Sequence, residues 1–164
     1  MIFVTLGSQK FQFNRLLEAV DNLVAEGRIT EEVYAQIGYS NYEPQHFVFK
    51  QFLDREEFSK MTELADIVIT HGGTGAIIGA VKKGKKVIAL PRLAQYGEHV
   101  DDHQLQILKQ FDGMGIILAC YDLNDLAELY KKIQHIEMTP YQSNTVKIID
   151  SIEKFLSREF DKHE

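Results

Sequence analysis

Residues 69–91 read ITHGGTGAIIGAVKKGKKVIALP and carry Gly72, Gly73, Gly75, Gly79 and Gly84 out of eleven glycines in the chain. The apolar run DIVIT ends at Thr70, His71 follows, and the glycines then open GAIIGAVKKG, a segment that reads as a helix. A strand that turns through glycines straight into a helix brings unpaired backbone amides and the positive end of the helix dipole to one point. An anionic oxygen held there gains roughly 0.3–1 kcal/mol from the dipole before any hydrogen bond is counted. The turn therefore predicts a bound phosphate. A second apolar run, KVIAL, follows the helix at once, and strand, helix and strand in so short a span are the repeating unit of a parallel sheet.

The same alternation extends in both directions. Towards the N-terminus, IFVTL reads as the first strand, and FQFNRLLEAVDNLVAEG as a helix with Leu16, Leu17, Val20, Leu23 and Val24 on one face and Gly27 as its stop. EVYAQIG and HFVFKQF read as two more strands, and DREEFSKMTELA as a helix capped by Asp54 with acids in its first turn. Towards the C-terminus come a helix in DDHQLQILKQF, a sixth strand in GIILA, a helix in LNDLAELYKKIQ and a terminal amphipathic segment, NTVKIIDSIEKFLSREF. The expected class is α/β, a Rossmann-like doubly wound parallel sheet of about six strands. Residues 1–140 are expected to form one ligand-binding domain, and residues 141–164 an amphipathic helix packed on that domain or on a partner.

Composition narrows the function. A chain of 164 residues suffices for one domain with a core and is short for two substantial lobes. Its net charge of −6 argues against sequence-independent nucleic-acid binding, which needs a basic field. No run reaches the roughly 18 apolar residues of a membrane span, and MIFVTLGSQ lacks the pattern of a signal peptide. A cytoplasmic protein is expected, and the single Cys120, inside the apolar run GIILAC, reads as a buried structural thiol.

In open parallel sheets, ligands bind beyond the carboxyl ends of the strands. After the first strand come Gly7, Ser8 and Gln9, where a glycine admits a close backbone approach and the hydroxyl can donate to an anion. After the fourth come His71, Gly72, Gly73, Thr74 and Gly75. After the fifth comes PRLAQYGEHVDDHQ, a polar excursion ending in Asp101, Asp102, His103 and Gln104, whose carboxylates and carboxamide suit the vicinal hydroxyls of a sugar. Phosphate in one loop and hydroxyls in the next point to a nucleotide-sugar.

Other readings of these residues stay open. Asp101 can simply cap the helix it precedes. His99 and His103 stand at a spacing that can hold zinc, but with no third ligand evident no metal site is expected. Gly73, Gly75 and Gly79 spell a loose relative of the dinucleotide fingerprint, displaced from its usual first strand, and Arg92 would then meet the extra phosphate of NADP.

The motifs VTLGSQ, THGGTGAIIGAVKKGKKVIALP and GEHVDDHQLQ, in that order, resemble the C-terminal, donor-binding domain of glycosyltransferase family 28, of the two-lobed GT-B architecture. The likeness is greatest to members consisting of this domain alone: the soluble subunit of the two-part UDP-GlcNAc transferase of dolichol-linked oligosaccharide synthesis, and bacterial counterparts in capsule and exopolysaccharide assembly. It covers about residues 1–135.

The resemblance implies that Gly7 and Ser8 approach the nucleotide-sugar, that His71, Gly72, Gly73, Thr74 and Gly75 lie along its diphosphate, and that Asp102, His103 and Gln104 face the donor sugar. One departure stands out: many members carry a ribose-binding glutamate where this chain has Gly79. The donor implied is UDP-galactose or UDP-GlcNAc, with no further cofactor. The acceptor, a polyprenyl-diphosphate-linked saccharide, is expected to bind a separate membrane-anchored subunit, which would hold this chain at the inner face of the membrane. A homodimer through exposed apolar surface stays open for the chain alone. His71 or Arg92 would add positive charge at the diphosphate, and His71, His99 and Asp101 are the candidates by type for a general base. A non-catalytic, nucleotide-sugar-binding companion of a transferase is the competing reading, which Gly79 favours.

Overall fold

The computed structural model describes residues 1–144. The terminal amphipathic segment, from residue 145 on, lies outside the described residues. Six strands form one parallel sheet: β1 (Ile2–Thr5), β2 (Val33–Gln36), β3 (Val48–Lys50), β4 (Ile67–His71), β5 (Lys86–Leu90) and β6 (Leu118–Ala119). Five α-helices connect and flank them: α1 (Asn14–Ala25), α2 (Arg55–Leu64), α3 (Thr74–Lys82), α4 (His103–Gly113) and α5 (Leu126–His135). The expected α/β class and strand count hold.

The strand order is β3-β2-β1-β4-β5-β6. The chain winds outward from β1 to one edge, returns to the centre as β4, and winds to the other edge. Connections leaving β1 and β4 therefore diverge, and a crevice opens between their carboxyl ends. The glycine-bearing loops of the sequence follow these two strands.

Side-chain alternation divides the core. Ile2, Val4, Ile67 and Ile69 point to one face and pack under Leu16, Leu17 and Val20 of α1 and Tyr130 and Ile133 of α5. Phe3, Val68, Val87 and Ala89 point to the other, against Phe58 of α2, Ile77 and Ala80 of α3 and Leu108 of α4. The edge strands β3 and β6 have only three and two residues, which leaves little free edge to pair with another chain.

Local chemistry sets the helix ends. Asp54 and Glu57 form a capping box at the start of α2, as the acids of its first turn foretold. The lysines after α3 serve the opposite pole: Lys85 donates to the Glu63 carbonyl at 2.6 Å, and Lys86 to those of Ile133 and Gln134 at 2.9 and 3.2 Å. These carbonyls end α2 and α5, where a cation opposes the negative end of the dipole. Cys120 is buried, its thiol pushed up to about 12 by desolvation and neighbouring Asp125 and Asp122, so it stays protonated. Among the described residues, no helix is long and apolar enough to cross a membrane.

Candidate functional site

His71 closes β4 and lies between two glycines. Gly7 has φ 72°, and a Cβ there would stand 2.7 Å from His71 Cε1. A Cβ on Gly73 would collide with His71 Nε2. Both glycines are thus required by the imidazole between them, Gly7 also by its left-handed backbone. The ring is 8% exposed, and its Nδ1 lies 3.3 Å from the Thr70 hydroxyl, which donates to the Thr5 carbonyl at 2.8 Å. Burial, aided by the Arg92 charge, lowers its pKa to about 4. His71 is therefore neutral at pH 7 in this surrounding, and the fold by itself does not make it the cation expected beside a diphosphate. It can offer a neutral ring N–H or a lone pair instead.

Arg92 also departs from expectation. It is 1% exposed, and its guanidinium donates to the carbonyls of Leu6, Phe11, Gln12 and Glu98 at 2.5 to 3.3 Å. Desolvation lowers its pKa to about 10, which leaves it charged at pH 7. A cation spent on backbone carbonyls is not presented to a ligand phosphate, and the same burial removes the group on which an NADP reading rested. Arg92 instead ties the loop after β1 to the loop after β5. Glu98, 1% exposed, reinforces the tie by accepting from Arg15 at 2.6 and 3.0 Å and from the Leu93 amide at 3.0 Å.

Gln104, expected to face a sugar, is 3% exposed, and its Oε1 accepts from the amides of both Gly72 and Arg92 at 3.0 Å. Two N–H donors on one atom require an oxygen there, so the carboxamide nitrogen is the group left for other contacts. Asp102 accepts from the Ala94 amide at 2.8 Å. Asp101 is not the N-cap of α4; that position is Asp102, while the Asp101 carboxylate accepts from the His103 amide at 3.1 Å and meets the rings of His99 and His103.

A cleft of about 540 Å³ occupies the crevice between β1 and β4. Gly7, Ser8, His71, Gly73, Thr74 and Gly75 line it, and the sequence singled out all of them. Gly72, Arg92, Asp102, His103 and Gln104 do not; they gather beyond Gly72, so the structure separates the residues expected around one ligand into a cleft and a flanking loop. The cleft is completed by residues the sequence reading missed: Gln36, and Phe52, Leu53, Asp54 and Arg55 from the connection between β3 and α2. Gln36 braces this wall by accepting from the Leu53 amide at 3.0 Å.

Residues with unspent polar groups line this cleft. The Thr5 hydroxyl is buried without a hydrogen-bond partner, and Gly73 caps α3 with no side-chain acceptor for its first amides. Arg55 begins α2, where its charge opposes the dipole. That unfavourable placement, legible in FLDREE, was the signal that could have found it. Tyr39 and Phe52, both exposed, pack edge to face at 5.2 Å, and Phe52 lines the cleft.

The profile of the glycosyltransferase family 28 C-terminal domain matches residues 1–158. The chain is 33% identical over 81 residues to UDP-N-acetylglucosamine transferase subunit ALG13 of Candida glabrata, covering 49% of this chain and 39% of that protein. It is 27% identical over 126 residues to the Homo sapiens protein of the same name, covering 73% of this chain and 11% of that one. It thus spans well under two thirds of both curated relatives.

Among solved structures, the solution structure of ALG13 superposes with a TM-score of 0.59 at 19% identity, over 92% of this chain and 93% of that one. MurG of Acinetobacter baumannii superposes with a TM-score of 0.55 at 17% identity, over 92% of this chain and 49% of that one. The fold resembles the Rossmann-like C-terminal half of GT-B glycosyltransferases, and the chain belongs to the glycosyltransferase family 28 C-terminal domain family.

Proposed function

We propose that this chain is the donor-binding subunit of a two-component glycosyltransferase that transfers a hexose, galactose or GlcNAc, from a UDP-sugar. The observation that carries this reading is the cleft at the switch point, which is lined by the uncapped N-terminus of α3, by Thr5, whose buried hydroxyl has no partner, and by Arg55. Helix amides and a cation suit a diphosphate, and the exposed Tyr39–Phe52 pair offers an aromatic surface for a base.

Catalysis on the donor side would consist of stabilising the departing diphosphate through those amides and Arg55. The acceptor, a polyprenyl-diphosphate-linked saccharide, would bind a membrane-anchored partner that holds this chain at the cytoplasmic face. Support comes from the names of the relatives, which are those of a transferase subunit.

A non-catalytic, nucleotide-sugar-binding companion is the second reading. It is favoured by the cleft's lining carboxylate, Asp54, being committed to the α2 cap, with Gly79 contributing no acid. Calorimetry with UDP, UDP-galactose, UDP-GlcNAc and NADP tests binding. Saturable binding of UDP and one UDP-sugar, but not NADP, supports both readings, and partner-dependent transfer by wild type but not Arg55→Ala selects the first. Preference for NADP would overturn both.

A further inference from the structure

We propose that His99, Asp101 and His103 form a binding site for a divalent first-row transition metal of the zinc type. Each offers one ligand atom, and these atoms lie within 4.8 Å of one another. His99 Nδ1 stands 3.2 Å from Asp101 Oδ1, close to the edge, about 3.3 Å, of a tetrahedron built on zinc–ligand bonds of about 2.0–2.1 Å. His103 Nδ1 is hydrogen-bonded to the same carboxylate oxygen, closer than that edge, so this pair would open to admit an ion. The spacing of the two histidines was visible in the sequence; the third ligand was not, because only the turn ahead of α4 swings Asp101 between them.

The ligands are already oriented. The His99 side chain is 8% exposed, and its ring packs against Phe11 at 5.3 Å and edge-on to His103 at 4.7 Å. The Asp101 amide donates to His99 Nδ1 at 3.4 Å, which makes that nitrogen an acceptor, and a metal bound there would replace this hydrogen bond. The His103 amide holds the Asp101 carboxylate at 3.1 Å. Its hydrogen bonds to the amide and ring of His103 tie Asp101 to the first residue of α4; they do not explain why a second, largely buried imidazole converges on the same oxygen.

Two imidazoles and one carboxylate suit Zn²⁺ and its neighbours better than Mg²⁺ or Ca²⁺. Three protein ligands leave a coordination position for water or another oxygen ligand. Asp101 and His103, with side chains 58% and 47% exposed, give an ion access from solvent. Binding would displace any proton shared between His103 and Asp101. Gln104, next in the chain, holds Gly72 and Arg92, so an ion here would also fix the start of α4 against the glycine turn.

The test is Co²⁺ titration of the full, untagged, chelator-treated chain, read by visible absorption and by competition with Zn²⁺. One equivalent of Co²⁺ should give a ligand-field band that one equivalent of Zn²⁺ abolishes. Asp101→Asn and His103→Ala should each weaken binding by about 100-fold or more, since outer-shell partners alone contribute ~10–100-fold. His135→Ala, at the far end of α5, should not change it. Both ligand substitutions are at exposed positions, and circular dichroism confirms that the variants remain folded. Absence of a saturable band at micromolar Co²⁺, or equal affinity in Asp101→Asn and His103→Ala, would overturn the site.

Discussion

The two flanks of the β4 carboxyl end are built from similar residue types and do opposite things. On the flank towards β5, most polar groups are spent on the protein: Arg92 on four carbonyls, though its Nε has no partner, Glu98 on Arg15 and Leu93, and Gln104 Oε1 on two amides. On the flank towards α2, the Thr5 hydroxyl is unpartnered and the first amides of α3 lack a side-chain cap. A flank whose polar groups are mostly paired within the protein is a frame, whereas a flank that leaves a hydroxyl and helix amides unpaired is one that a ligand can complete. The two meet at His71, whose imidazole faces the cleft while Arg92 on the frame helps keep it neutral.

Disruption of the frame should have the largest effect. Arg92→Leu leaves several carbonyls without a donor and is expected to lower stability by roughly 3–5 kcal/mol, the range for removing one member of a buried charged cluster. Urea denaturation measures it, and a loss below about 1 kcal/mol would mean that the frame is not held by this side chain.

The next effect is a pH dependence. His71 has a pKa of about 4 in the fold against 6.5 for an unperturbed histidine, so between these values the unfolded chain binds a proton that the folded chain refuses. Its contribution is complete above pH 6.5 and is lost as pH falls towards 4, amounting to roughly 3 kcal/mol. In His71→Gln, stability measured across that window should fall less steeply than in wild type; parallel curves would show that the imidazole titrates freely.

On the open flank, Arg55→Ala should weaken UDP binding by about tenfold, near 1.5 kcal/mol, the lower end for a charge-assisted hydrogen bond at an exposed position. Stability should hardly change, because α2 loses a cation from the wrong end of its dipole. Calorimetry and thermal melts together read the split; a variant that melts early and binds normally would reverse the roles given to the two flanks. The smallest effect is expected at Gly79, where an added Cβ meets nothing within 4 Å. Gly79→Ala should stabilise α3 by about 0.5–1 kcal/mol without altering UDP affinity.

Periodicity and turn chemistry alone established the elements and the class. Apolar runs alternating with helical patterns, Asp54 ahead of its acids, and glycines at the end of β4 are short-range signals, and each was placed correctly within a few residues. Short-range signals also identified most of one cleft wall, since Gly7, Ser8, His71, Gly73, Thr74 and Gly75 occupy two loops that the parallel topology brings together.

Only the tertiary structure decided what each polar group faces. Arg92 and Gln104 read as ligand contacts because their residue types suit phosphate and sugar, yet packing places carbonyls around the first and amides beside the second. Arg55 and Gln36 joined the cleft because β2 and β3 lie beside β1 in the sheet, and strand order is a long-range property that local spacing does not encode. The neutrality of His71 has the same origin: its charge is set by burial and by a guanidinium 21 residues away in the chain, both of which exist only once the sheet has formed.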